Sequence, residues 1–254
     1  MTASAPLIIG ATGGSGTRVV ARIAQRAGYN LGTHVNEAND ALAFRPFHDR
    51  WIDHFLEMEE HGAGSGDGIP DRMTNDFKVA LAHHLDSPSA EVARWGWKAP
   101  RSIYLLPFLY AQFPDLRFIH VLRDGRDMAF SRNQNQLRKH GPKILNWRER
   151  WFNPESVRSV LLWARINVRV AEFGEKRLRE NYLVVRFEDL CGSPRETVAR
   201  ILRFLQVDLD PWGIAAEEVT APASVGRWRR RSAKVTTRLT RAAEDALRKF
   251  GYLD

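Results

Sequence analysis

Cysteine is all but missing from this sequence: the 254-residue chain has one, Cys191. A single thiol excludes an internal disulfide and a multi-cysteine metal site, and it fits a reducing, cytoplasmic setting. Cys191 reads as a small residue packed at a strand–helix junction. Long apolar runs are missing as well; the longest, 103–111, is far too short to span a bilayer. Residues 1–6 carry no basic stretch before their short apolar run and do not read as a signal peptide. No internal repeat is visible. No histidine, cysteine and aspartate cluster has metal-ligand spacing, so no metal is expected. Acidic residues are outnumbered, 30 against 38 lysines and arginines, giving a net charge of +8. Such a balance favours anions near the surface but leaves open nucleic acid, an acidic membrane, a nucleotide or plain solubility.

What is present is an alternation of short apolar runs with helical patterns. Strands are expected at 7–9, 29–32, 95–98, 117–122 and 183–187. Helices are expected at 19–27, 76–85, 102–112, 127–136, 154–179 and 194–205, with a further short one at the C-terminus. A polar loop and then helix, with Phe44, Trp51, Ile52 and Phe55 apolar, fill 33–60. The glycine-rich run 61–70 reads as a surface loop inside one domain spanning 1–254. Strands alternating with helices imply an α/β fold, a central parallel sheet of about four to five strands flanked by helices. In such a sheet the loops that bind ligands gather at the carboxyl ends of the strands. Here those loops follow Ile9, Lys98, Leu122 and Phe187.

The first of them reads GATGGSGTR, residues 10–18. Its glycines permit backbone angles that other residues avoid, and amides at a helix N-terminus bind phosphate-like anions. Gly13, Gly14, Ser15, Gly16, Thr17 and Arg18 are the candidate cradle. The run lacks the Gly-Lys-Ser/Thr of nucleotide triphosphatases, and it is not a G-x-G-x-x-G dinucleotide loop in a usable register.

Taken with three further motifs, the loop resembles the 5′-phosphosulfate loop of sulfotransferases that use 3′-phosphoadenosine 5′-phosphosulfate (PAPS). Residues 118–134, FIHVLRDGRDMAFSRNQ, place Arg123 and Ser131 where that family binds the 3′-phosphate. SVGRWRR, residues 224–230, resembles its C-terminal nucleotide loop, with Ser224, Gly226 and Arg227 as the binding candidates. WGWKAPRS, residues 95–102, is similar to a strand-end segment of carbohydrate-type and bacterial members. The resemblance covers 10–230 and implies a P-loop-like three-layer fold, PAPS as donor, adenosine 3′,5′-bisphosphate as product, and no metal.

The same resemblance exposes a departure. Many members carry a lysine or arginine directly before Ser-Gly-Thr, where this chain has Gly14. Lys98 is the candidate replacement for contact with the sulfonate, with Arg18 the alternative. Sulfonyl transfer also needs a base. In related carbohydrate and tyrosine enzymes it is an acid shortly after the first helix. Glu37 and Asp40, three apart and expected on one helix face, are candidates here, as is His34. The acceptor is a small molecule or glycan bearing a hydroxyl, less readily an amine. Phe44, Phe47, Trp51 and Trp147 line its cleft or, for most of them, the core. Rival readings are a kinase-like P-loop enzyme, or a nucleic-acid binder using the basic run 227–241. That run is too short and local to favour nucleic acid, though peripheral membrane contact through it stays open. Oligomeric state is not legible.

Overall fold

The computed structural model describes residues 5–61, 68–85 and 94–253. The glycine-rich run of the sequence therefore lies, for 62–67, outside the described residues.

β1 (Leu7–Ala11) is buried along its whole length, and α1 (Thr17–Arg26) follows it. Val20, Ala21, Ile23 and Ala24 form the buried stripe of α1. Gly28, at φ +83°, lets the chain reverse just beyond it. α2 (Arg45–Glu60) and α3 (Asp71–Leu85) come next. Then β2 (Gly96–Lys98) leads into a 3₁₀ turn (Pro100–Leu105) and α4 (Leu106–Gln112). β3 (Arg117–Leu122) precedes α5 (Gly125–Met128), α6 (Asn135–Ile144), α7 (Trp147–Phe152) and α8 (Glu155–Phe173). β4 (Tyr182–Arg186) is followed by α9 (Phe187–Gly192), α10 (Pro194–Leu205) and α11 (Pro211–Glu218). The chain closes with a 3₁₀ turn (Arg227–Arg230), α12 (Ala233–Ala242) and α13 (Glu244–Lys249).

The four strands pair in parallel in the order β2-β1-β3-β4. Alternate residues of β1 face opposite layers, as a pleated strand requires. Leu7, Ile9 and Ala11 join α1, α10 and α11, while Ile8 joins Trp97, α2, α3 and α4. A third apolar cluster surrounds Trp163 of α8 and includes Leu122, Leu239 and Leu247. After β2 the chain crosses over β1 to form β3. The β1/β3 junction is thus the topological switch point, where sheets of this kind leave a crevice.

Three local expectations are corrected. Residues 29–32 form no strand; Asn30 makes a single bridge to Trp95. The helix expected at 127–136 is one turn, α5, then a break, then α6. The Gln134 side chain donates to the Met128 and Ser131 carbonyls, capping the backbone that a continuous helix would have used. Glu37 and Asp40 share no helix face. Asn36 Oδ1 accepts from the Ala38 and Asp40 amides, and Asn39 adopts φ +64°, so the segment is a tight turn.

One polar group sits deep in the fold. His120 of β3 is fully buried between Tyr182 and Asn167. Asn167 Nδ2 donates to the Trp163 carbonyl, leaving Oδ1 to accept from His120 Nε2 at 2.8 Å. His120 Nδ1 then accepts from the Tyr182 hydroxyl at 2.6 Å. Burial lowers this imidazole from 6.5 to about 4, against the hydrogen bond it donates to Asn167, which raises it. The folded state therefore holds His120 neutral, and below pH 6.5 the unfolded chain binds the extra proton. Stability should fall as pH drops from 6.5 towards 4, with about 2 kcal/mol lost through this group by pH 5. Urea melts at pH 7 and pH 5, compared with a His120→Gln variant, check this. The variant should show the flatter profile, and parallel losses would assign the effect elsewhere.

Candidate active site

The strand ends deliver their loops to one edge, as the parallel register requires: Ile9 pairs with Lys98, Ala11 with Val121, and Leu122 with Arg186. Two linked clusters form there.

The first surrounds the glycine loop. Gly14 and Gly16 have φ of +86° and +82°, the left-handed region that L side chains avoid. A Cβ on Gly16 would lie 2.2 Å from the Phe187 ring, and one on Gly14 would lie 3.3 Å from Ser131 Oγ. A lysine at position 14 would be strained in this backbone, which gives a physical reason for the departure seen in the sequence. The loop runs into α1, whose first amides have no partners within the helix and face outward from its positive end. Ser15 is turned inward, its hydroxyl donating to the Thr12 carbonyl at 2.6 Å, so that proton is already used within the loop. Thr17 is buried at the first turn of α1, and Arg18 is exposed.

A cavity of about 850 Å³ opens beside this loop. Gly13, Gly14, Gly16, Thr17 and Arg18 line it together with Lys98, Asp40, Asn36 and Leu42. Lys98 is only 2% exposed. Its ammonium donates to the Ala38 carbonyl at 2.7 Å and makes a short ion pair with Asp40. Burial pulls Lys98 below its usual pKa, and the Asp40 charge opposes that pull. Lys98 and Asp40 are thus one unit, assembled from a strand end and the Asn36 turn.

The three base candidates separate in space. Asp40 lines the cavity. Glu37 is exposed and is not among its lining residues. His34 lines a second cavity of about 470 Å³, where its ring meets that of His83 edge-on at 5.4 Å.

The second cluster follows β3. Arg123 is buried, and its Nη2 donates to the Ser224 carbonyl at 2.5 Å, to Ser224 Oγ at 3.1 Å and to Asp127 Oδ2 at 3.2 Å. Its Nε is buried without a partner. Asp127, 0% exposed, also accepts from the Gly226 amide at 2.8 Å and the Trp228 amide at 3.1 Å. Arg227 donates to the Ser224 and Phe130 carbonyls. Arg126 pairs with Asp124 and stacks on Trp228, 3.8 Å from its centroid. Ser131 lies in the break after α5, not within a helix, and its Oγ accepts from the Asn133 amide.

Arg123, Ser131, Ser224, Gly226 and Arg227, distant in sequence, therefore occupy one neighbourhood. Phe187 joins the clusters: it packs under Gly16, and the Arg123 guanidinium sits 5.3 Å from its ring centroid. Two residues escaped the sequence reading. Asp127 pairs with Arg123 and also anchors the 224–228 loop. Phe187, read as a strand end, is the shared floor. Neither role has a local signal, because the 224–228 loop is about a hundred residues from Asp127, and Gly16 and Arg123 are 171 and 64 residues from Phe187. Of the aromatics, Phe44, Phe47 and Trp51 are core, and Trp147 is exposed.

A phosphorylated nucleotide fits this arrangement. The orphaned Arg123 Nε and the two left-handed glycines are features that an anion would satisfy. Among the described residues no group of histidine, cysteine and acidic side chains is placed to hold a metal ion. None of the described helices is long and apolar enough to cross a membrane.

Residues 9–211 match the family model described as "Sulfotransferase family". Human carbohydrate sulfotransferase 6 is 31% identical over 114 residues, covering 42% of this chain and 29% of that protein. Mouse carbohydrate sulfotransferase 5 is 29% identical over 114 residues, with the same coverage of each chain. The match thus spans under a third of the length of these curated relatives. Among solved structures, the sulfotransferase domain from the curacin biosynthetic pathway superposes with a TM-score of 0.54 at 12% identity, covering 98% of each chain. The sulfotransferase domain of the Synechococcus PCC 7002 olefin synthase gives 0.53 at 17% identity, covering 95% of this chain and 93% of its own. Both are likenesses of fold.

Proposed function

This chain belongs to the sulfotransferase family, and from that premise we propose that it transfers a sulfonate group from PAPS to a hydroxyl acceptor, with adenosine 3′,5′-bisphosphate as the product. The observation that carries this reading is the Lys98–Asp40 pair in the cavity of the glycine loop. When bound, PAPS supplies the sulfonate and a bisphosphate leaving group.

Arg123, with Ser131, Ser224, Gly226 and Arg227, holds the 3′-phosphate. The amides around Gly13–Thr17, with Arg18, hold the 5′ end. Lys98 sits where charge builds on the transferring group and the departing oxygen, the role that Gly14 cannot fill. Asp40 is the base. An anion arriving at Lys98 competes for the ammonium and frees the carboxylate, which then takes the acceptor's proton as its oxygen bonds to sulfur. The S–O bond to the bisphosphate breaks on the opposite side. Glu37 and His34 lie outside this geometry.

Calorimetry with adenosine 3′,5′-bisphosphate, followed by transfer assays with radiolabelled donor, tests the reading. Micromolar binding without added metal is expected; absence of binding would sink it. Asp40→Asn should cut turnover roughly a hundredfold with bisphosphate affinity nearly unchanged. Retained turnover in that variant would move the base elsewhere.

A further inference from the structure

The cavity beside the glycine loop is also lined by Arg45, Arg101, His48 and Lys139. One carboxylate, Asp49, serves all three cations. It accepts from Arg101 Nη1 and from Lys139 Nζ, each at 2.6 Å, and lies 4.0 Å from Arg45 Nε. Burial alone would raise the Asp49 pKa, but the hydrogen bonds from Lys139 and Arg101 prevail and lower it. His48 adds no charge of either sign: burial, reinforced by the Arg101 charge, lowers it to about 3. Three positive charges therefore face one negative charge.

Arg101 shows where the imbalance is felt. Nη1 is taken by Asp49, while Nε and Nη2 are buried with no partner. Those two N–H groups form the side-on edge of a guanidinium, the edge that grips two oxygens of a carboxylate at once. Leaving it unpaired is costly, and native structures rarely do so without a use.

The donor does not account for this cluster in the reading above. Its 3′-phosphate lies with Arg123, and its phosphosulfate lies between the glycine loop and Lys98. Resting on that reading, we propose that Arg101, with Lys139 and Arg45, is an oxyanion subsite for the acceptor, and that the natural acceptor carries a carboxylate or similar oxyanion near the hydroxyl that is sulfonated. Arg101 keeps its Asp49 bond as a pivot and turns its free edge to the entering oxyanion. Lys139 and Arg45 supply the longer-range attraction.

The test uses two matched pairs of probes on the full chain with bound bisphosphate: methyl β-glucuronide against methyl β-glucoside, and 4-hydroxybenzoate against 4-hydroxybenzamide. Binding is measured by calorimetry and transfer with radiolabelled PAPS. In at least one pair the acid should be preferred by about tenfold or more, as a charge-assisted bidentate contact implies. That preference should weaken as salt rises. Arg101→Gln should bring it close to unity while affinity for adenosine 3′,5′-bisphosphate stays within about twofold, which also reports that the variant is folded. Lys139→Gln, at a half-exposed position, should reduce it several-fold.

Equal binding of acid and neutral probe in both pairs, or no binding of either acid, overturns the subsite. So does loss of bisphosphate affinity in Arg101→Gln, which would give the cluster to the donor. Failure of the unmutated protein to bind the bisphosphate would instead defeat the sulfotransferase reading itself.

Discussion

Lys98→Ala should reduce turnover by roughly a hundredfold to a thousandfold, the usual cost of removing one preorganised stabiliser of transition-state charge. Affinity for adenosine 3′,5′-bisphosphate should change by no more than about threefold, because the product lacks the sulfonate that Lys98 meets. The pair with Asp40 sharpens the expectation. Without the ammonium, Asp40 keeps a carboxylate that has lost its ion partner, and Arg18 is the cation that remains on the glycine loop beside it. Lys98→Arg keeps the charge, but a planar guanidinium does not fit a buried ammonium site, so it should recover only part of the rate. Single-turnover assays separate the chemical step from binding. Full turnover in Lys98→Ala would make Arg18 the working cation and Lys98 a structural strut for the Asn36 turn.

Arg123→Ala should weaken adenosine 3′,5′-bisphosphate binding by about a hundredfold or more, since two or more charge-assisted hydrogen bonds are lost together. It should also cost stability. Asp127 is buried and loses its ion partner, keeping only the Gly226 and Trp228 amides, and breaking such a pair costs about 3 kcal/mol. Arg123→Lys separates the two effects. A lysine restores a positive charge beside Asp127 and so recovers part of the melting temperature. It lacks the fork that holds phosphate oxygens, so binding stays weak. If both variants bind the bisphosphate normally, the 3′-phosphate does not lie at this cluster.

Much of this architecture was legible because its signals are short-range. A five-residue apolar strand, a glycine turn and an apolar stripe in α1 are encoded within 22 consecutive residues, 7–28, and the backbone preferences of those residues produce them directly. The chemistry at the other strand ends was legible for the same reason: Lys98 and Arg123 each sit within one residue of a strand end. The errors were local too, and two of the three came from side-chain capping. Asn36 folds the 36–40 segment into a turn, and Gln134 ends α5 after one turn. A periodicity argument treats both residues as merely polar.

The acceptor side was not legible. Arg45, His48, Asp49, Arg101 and Lys139 come from α2, the 3₁₀ turn after β2 and α6. Nothing in the spacing of those residues says that they meet. Arg101 stands beside a recognised lysine–proline segment, and its unpaired edge becomes visible only once Asp49 is known to hold Nη1.

The sequence by itself determined the strand–loop–helix order, the glycine loop and the kinds of side chain that stand at the strand ends, because periodicity and backbone preference act over a few neighbouring residues. Tertiary structure alone decided which acid meets Lys98, and that Asp127 fastens the C-terminal loop. Asp40 and Lys98 are 58 residues apart, and Asp127 and Gly226 are 99 apart. Packing of the layers brings such groups within hydrogen-bonding distance, where charge and desolvation fix their roles.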